Sequence, residues 1–201
     1  KLKEAIEAFN KALAIKPDCA EAYSNMGAVL QEQGKPEEAL DAYNKALTIK
    51  PDDAEVYNNM GIALQRVEFK RPNQELQKTI GALLEQNNSV RPRDIAHATI
   101  SLLKFEANLQ KNLAEPAVVE TNQSLQQTVI ELSNLPLLLK LMSICPLADF
   151  GLEALLKKIR AKILLALPSF VSTSGVLKFQ SALALQCFTN EYIYDQSASE
   201  E

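Results

Sequence analysis

Two blocks of this chain are written twice, and both pairs of copies stand at one common offset. Glu4 to Asp18 (EAIEAFNKALAIKPD) recurs at Glu38 to Asp52 (EALDAYNKALTIKPD), and Ala20 to Gln31 (AEAYSNMGAVLQ) recurs at Ala54 to Gln65 (AEVYNNMGIALQ). A period of this length announces stacked supersecondary units that bury their apolar faces on one another. Within each unit the apolar residues fall at helical spacing: Tyr23, Met26, Gly27 and Leu30 in one block, and Ala39, Tyr43, Ala46 and Leu47 in the other. Each unit is therefore expected to be a pair of amphipathic helices.

The punctuation agrees. Gly34 stands where a left-handed residue would stop the first helix, and Pro36 stands at a first helical position. Glu37 and Glu38 place negative charge against the start of the macrodipole, and Pro17 and Pro51 close the second helices. Gly27 and Gly61 sit inside helices at the same phase, where glycine costs about 0.5–1 kcal/mol relative to alanine. Their repetition predicts close approach of a second helix, with Ala5, Ala12, Ala39 and Ala46 as the expected small residues opposite.

A 34-residue unit carrying Tyr23, Met26, Gly27, Leu30, Ala39, Tyr43, Ala46 and Pro51 resembles a tetratricopeptide repeat. On that resemblance residues 20–53 form a complete repeat. Residues 1–19 resemble the second helix of a preceding copy, and residues 54–68 the start of a following one. The pattern then lapses, since Glu68 replaces the expected glycine and Asn73 the expected alanine. The resemblance implies an all-α, right-handed helical solenoid of about two and a half repeats, continued over residues 69–201 by an irregular all-α domain. Because such units need neighbours, Ile6, Phe9 and Leu13 are expected to be partly uncovered. A fragment of a longer array, or chains stacking through their open ends into a homo-oligomer, are the alternatives.

Beyond Arg71 the period is lost while helical patterning persists, with helices expected near Asn73–Gln86, Pro92–Lys104, Glu106–Leu113, Val118–Leu135, Pro136–Ile144, Gly151–Leu167 and Val176–Tyr194. Leu152, Leu155, Leu156, Ile159 and Ile163 form an apolar stripe with Lys157, Lys158, Arg160 and Lys162 opposite, which is the pattern of a solvated helix face. The stretches Leu135–Leu147 and Phe179–Gln196 resemble the helical region of bacterial tetratricopeptide proteins that carry an S-adenosylmethionine-dependent methyltransferase domain further on. That resemblance carries over no catalytic motif.

Composition narrows the functional classes. The chain is 47% hydrophobic and 23% charged with net charge −4, the balance of a globular protein rather than a disordered one. The acidity resides in residues 1–68, with 8 Lys+Arg against 12 Asp+Glu, while residues 69–201 are neutral. This disfavours nucleic acid as a partner and favours basic or neutral peptides. Three dispersed cysteines, Cys19, Cys145 and Cys187, fit buried thiols in a reducing, cytoplasmic setting. The apolar stretch 135–167 is interrupted by charges too often to span a bilayer, so no membrane partner is expected.

Catalytic patterns are missing from the residues. No two of the six glycines lie close enough to form a phosphate or nucleoside loop, so no cofactor is expected. His97 is the single histidine, which leaves no His-based metal site, and it is read as a surface or core residue. Phe188, Tyr192 and Tyr194 are read as core, or as packing onto a following domain. The pattern that points to function is Asn25 and Asn59, each two residues after a tyrosine and two before a glycine. The stretch AEAYSNMG resembles the repeats of O-linked N-acetylglucosamine transferase, and this implies asparagines on the concave face that contact a peptide backbone. An amide suits that task because it both donates and accepts regardless of the peptide's side chains. Solvation of the inter-repeat seam is the structural alternative. The expected function is non-enzymatic protein or peptide binding through Asn25, Asn59, Gln65 and Arg66. The alternative is the recognition and spacer part of a methyltransferase or glycosyltransferase.

Overall fold

The computed structural model describes residues 1–86, 90–114, 121–166 and 174–189, and these form eleven helices with no strand. The chain divides into two compact units, Lys1–Leu102 and Leu103–Glu201. The change in composition at residue 68 therefore falls inside the first unit.

In the first unit the duplicated sequence produces duplicated geometry. Helices α1 (Leu2–Ile15) and α3 (Pro36–Ile49) have the same length and begin one repeat apart, and α2 (Ala20–Glu32) and α4 (Ala54–Leu64) begin at the same offset. Helix α2 packs on α1 and α3, and α3 packs on α4. The turn between α2 and α3 is a Schellman motif: Gly34 takes φ +72°, its N–H reaches Gln31 O at 3.0 Å, and the Lys35 N–H reaches Leu30 O at 3.0 Å. Two orphan carbonyls are satisfied there, in a backbone conformation that glycine adopts without a Cβ penalty.

The period of the sequence ends before the packing does. Helix α5 (Gln74–Glu85) still lies against α3. Asn73 interrupts the repeat pattern because it caps this helix, its side chain accepting from Leu76 N at 3.0 Å. It also donates to Asp41 on α3 at 3.1 Å. Arg71 pairs with the same carboxylate at 3.0 Å, and Thr79 bonds Asn44. Most of helix α6 (Pro92–Leu103) belongs to this unit, with Ile95 and Leu102 fully buried.

The glycines inside helices divide sharply. A Cβ at Gly27 would stand 2.6 Å from Cε1 of Tyr43 and one at Gly61 would collide with Val90, whereas a Cβ at Gly81 on α5 would meet nothing within 4 Å. The close approach is present, but the residues opposite are an aromatic ring and a valine rather than the expected alanines. A large ring fills the space that the glycine opens, so small residues are needed on one side of the seam only. Gly81 keeps only the entropic cost of glycine, so Gly81→Ala is expected to stabilise the first unit by about 0.5–1 kcal/mol in chemical denaturation.

Exposure along α1 is graded. Ile6 and Phe9 are half-buried, but Leu13 is buried rather than uncovered.

The second unit comprises α7 (Ala107–Ala114), α8 (Asn122–Ser133), α9 (Pro136–Ile144), α10 (Phe150–Ala166) and α11 (Ser174–Thr189). Helix α11 packs on α8 and α9, and α10 packs on α7 and α8. Leu152, Leu155, Leu156, Ile159 and Ile163 are all buried, as their spacing predicted. The basic residues opposite are half-buried, and Lys157, Lys158 and Arg160 engage other groups. Cys145 is buried, and burial pushes its thiol up to about 11. Tyr192 and Tyr194 lie outside the described residues, as do the side chains of Cys187 and Phe188.

Candidate functional site

Helices α2 and α4 are the first helices of consecutive repeats, and they touch each other. Each turns a polar stripe outward. On α2 the stripe is Glu21, Asn25, Ala28 and Glu32, all exposed; on α4 it is Glu55, Asn59 and Ile62, followed by Arg66, with Asn59 half-buried. The spacing i, i+4, i+7, i+11 places each set on one face. The opposite face of α2 carries Ala22, Gly27 and Leu30 into the core, and α4 buries Val56, Tyr57, Met60, Gly61, Ala63 and Leu64. Burial of one side thus fixes which residues reach solvent on the other.

The structure brings Asn25 and Asn59 to equivalent positions of neighbouring helices. No side-chain hydrogen bond ties either of them to the described residues. Gln65 is the C-cap of α4 and is exposed at the edge of the stripe. Arg66 follows in a tightened turn, its N–H reaching Ala63 O at 3.2 Å. Gln31, one repeat before Gln65, is already engaged: Tyr43 donates its hydroxyl to Gln31 Oε1 at 3.2 Å. Burial raises the Tyr43 phenol to about 12, which keeps it a neutral donor. The position one repeat beyond Tyr43 is held by Gln77, so Gln65 faces no equivalent tyrosine.

Charge is concentrated at the N-terminal ends of the two helices. Lys50 donates to Asp53 at 2.9 Å and lies in the field of both Glu21 and Glu55. That hydrogen bond, with a further one from Val56 N, holds the Asp53 carboxyl below the usual carboxylate range, and Asp53 caps α4. Lys45 lies 5.6 Å from the ring centroid of Tyr23, within cation–π range. The face offers hydrogen-bond donors and acceptors, carboxylates and one exposed aliphatic side chain. Exposed His97 on α6 lies outside both stripes. Among the described residues no group of three or more His, Cys, Asp or Glu could hold a metal ion, and no helix is long and apolar enough to cross a membrane.

The comparison with known families is specific: residues 20–53 match the tetratricopeptide repeat, and residues 1–34 match a TPR repeat. Residues 1–53 are thus tetratricopeptide in sequence as well as in geometry. No curated protein matches the chain.

Proposed function

We propose that this chain is a non-enzymatic protein- or peptide-binding module and that its ligand lies along α2 and α4, in contact with Asn25, Asn59, Gln65 and Arg66. The observation that carries this reading is the pair of asparagines one repeat apart, on touching helices, with their amides turned out of the core. Two amides in such register can hold two peptide groups of an extended segment. The hydrogen bonds are made to backbone, so affinity gained there is indifferent to ligand side chains.

The test is the double variant Asn25→Ala/Asn59→Ala, measured by calorimetry against peptides selected on the parent chain from a random display library. Each amide is worth roughly 0.5–1.5 kcal/mol of net hydrogen bonding, or about 3–10-fold in affinity per site. The loss should be similar for all selected peptides. Thermal stability should barely change, because alanine is the better helix former, Asn25 is exposed and Asn59 is only half-buried. Unchanged binding together with a clearly lowered melting temperature would assign the asparagines to the repeat seam instead.

A further inference from the structure

Resting on that reading, the two stripes also specify what kind of peptide fits. Along each helix the order of chemistry is the same: a carboxylate at Glu21 or Glu55, an amide at Asn25 or Asn59, then an apolar group at Ala28 or Ile62. Ile62 is 47% exposed, an aliphatic side chain turned to water one helical turn from Asn59. The carboxylates are exposed at one end of the face, and the cation in their field, Lys50, is bound to Asp53 at 2.9 Å. At the far end Glu32 and Arg66 carry opposite charges and set no preference between them.

The spacing converts this order into a sequence rule. Seven helical residues separate carboxylate from apolar group, a rise of about 10.5 Å along the axis at 1.5 Å per residue. An extended peptide in the polyproline II conformation advances about 3.1 Å per residue with three residues per turn, so two side chains three positions apart project to the same side and span nearly the same distance. We infer that the α2 and α4 face takes an extended peptide carrying one basic and one aliphatic side chain three positions apart, the basic group at Glu21 and Glu55, the aliphatic group at Ala28 and Ile62, and the backbone between them on Asn25 and Asn59.

Fluorescence anisotropy on the full chain tests the rule with labelled ten-residue peptides of glycine, alanine and serine, each holding one lysine and one leucine. Both orders of the pair are included, at separations of one, three and five, together with a set in which glutamate replaces lysine. One order at separation three is expected to bind about tenfold tighter than its glutamate counterpart and than the other separations. Glu21→Gln and Glu55→Gln are each expected to weaken that peptide by roughly 2–5-fold, the range of an exposed ion pair, while leaving the glutamate peptides unaffected. Ile62→Ser should abolish the preference for leucine over serine. Glu4→Gln/Glu7→Gln, exposed carboxylates on α1, should change nothing. Equal loss in that control would reveal attraction to net charge alone and overturn the rule. Peptides that all bind alike, yet weaken together in Asn25→Ala/Asn59→Ala, would overturn the rule and leave backbone recognition standing. Absence of binding by these peptides and by the display library alike would overturn both.

Discussion

Gln186→Leu is expected to destabilise the second unit by roughly 3–4 kcal/mol, a large loss for a substitution that preserves size. Gln186 is fully buried on α11. Its Nε2 donates to Met142 O and to Cys145 O, both at 2.6 Å, and its Oε1 accepts from Leu147 N at 3.3 Å. The reason lies in the local sequence. Met142 is in the last turn of α9, and the N–H that would close on its carbonyl belongs to position 146, which is proline and has none. One amide borrowed from the distant helix α11 therefore caps the end of α9. Leucine would leave two carbonyls and one N–H buried without partners, at about 1–3 kcal/mol each before relaxation. In denaturant titration the second unit should unfold earlier, and the Leu147 amide should exchange faster. Leu185→Gln, at the exposed neighbouring position, should stay within about 0.5 kcal/mol of the parent. A Gln186→Leu midpoint matching the parent would mean that water reaches this helix end.

Gln186 also shows where reading the sequence stops. The repeated helices were legible because two copies of one pattern constrain each other: Gly34 and Pro36 mark the turn, and the aligned glycines mark a seam. Helix α9 is bounded as expected, Pro136–Ile144, since Pro136 starts it and Pro146 prevents its continuation. Long-range pairings have no such local signature. A glutamine in an apolar helix looks like any other, and only the missing N–H at Pro146 hints that α9 must borrow a donor. The same holds for Asn73, which reads as a lapse of the repeat but, together with Arg71, serves Asp41 on α3. At the candidate site the sequence supplied the asparagines through their register with the glycines. It did not show that Gln31 would be claimed by Tyr43 while Gln65 is left exposed, because that depends on the helix packed against each repeat.

Gly27→Ala is expected to cost the first unit about 1–3 kcal/mol, although helix propensity alone would make it stabilising by nearly 1 kcal/mol. The sign is decided by Tyr43. Its ring is 1% exposed, its hydroxyl is fixed on Gln31, and the new Cβ would lie 2.6 and 2.8 Å from two ring carbons, well inside the roughly 3.5–4.0 Å of carbon contact. The ring cannot swing aside without breaking its hydrogen bond and displacing the packing around α3, so α2 must move instead. Tyr43→Phe separates the two contributions. Removing the hydroxyl should cost only the net hydrogen bond, about 0.5–1.5 kcal/mol, and in that background Gly27→Ala should be less damaging, because the ring is then free to shift along the seam. A coupling of this sign in the double-mutant cycle would show that glycine is retained for the aromatic ring opposite. Additive effects, or a stabilising Gly27→Ala, would show that the seam between the repeats has room to spare.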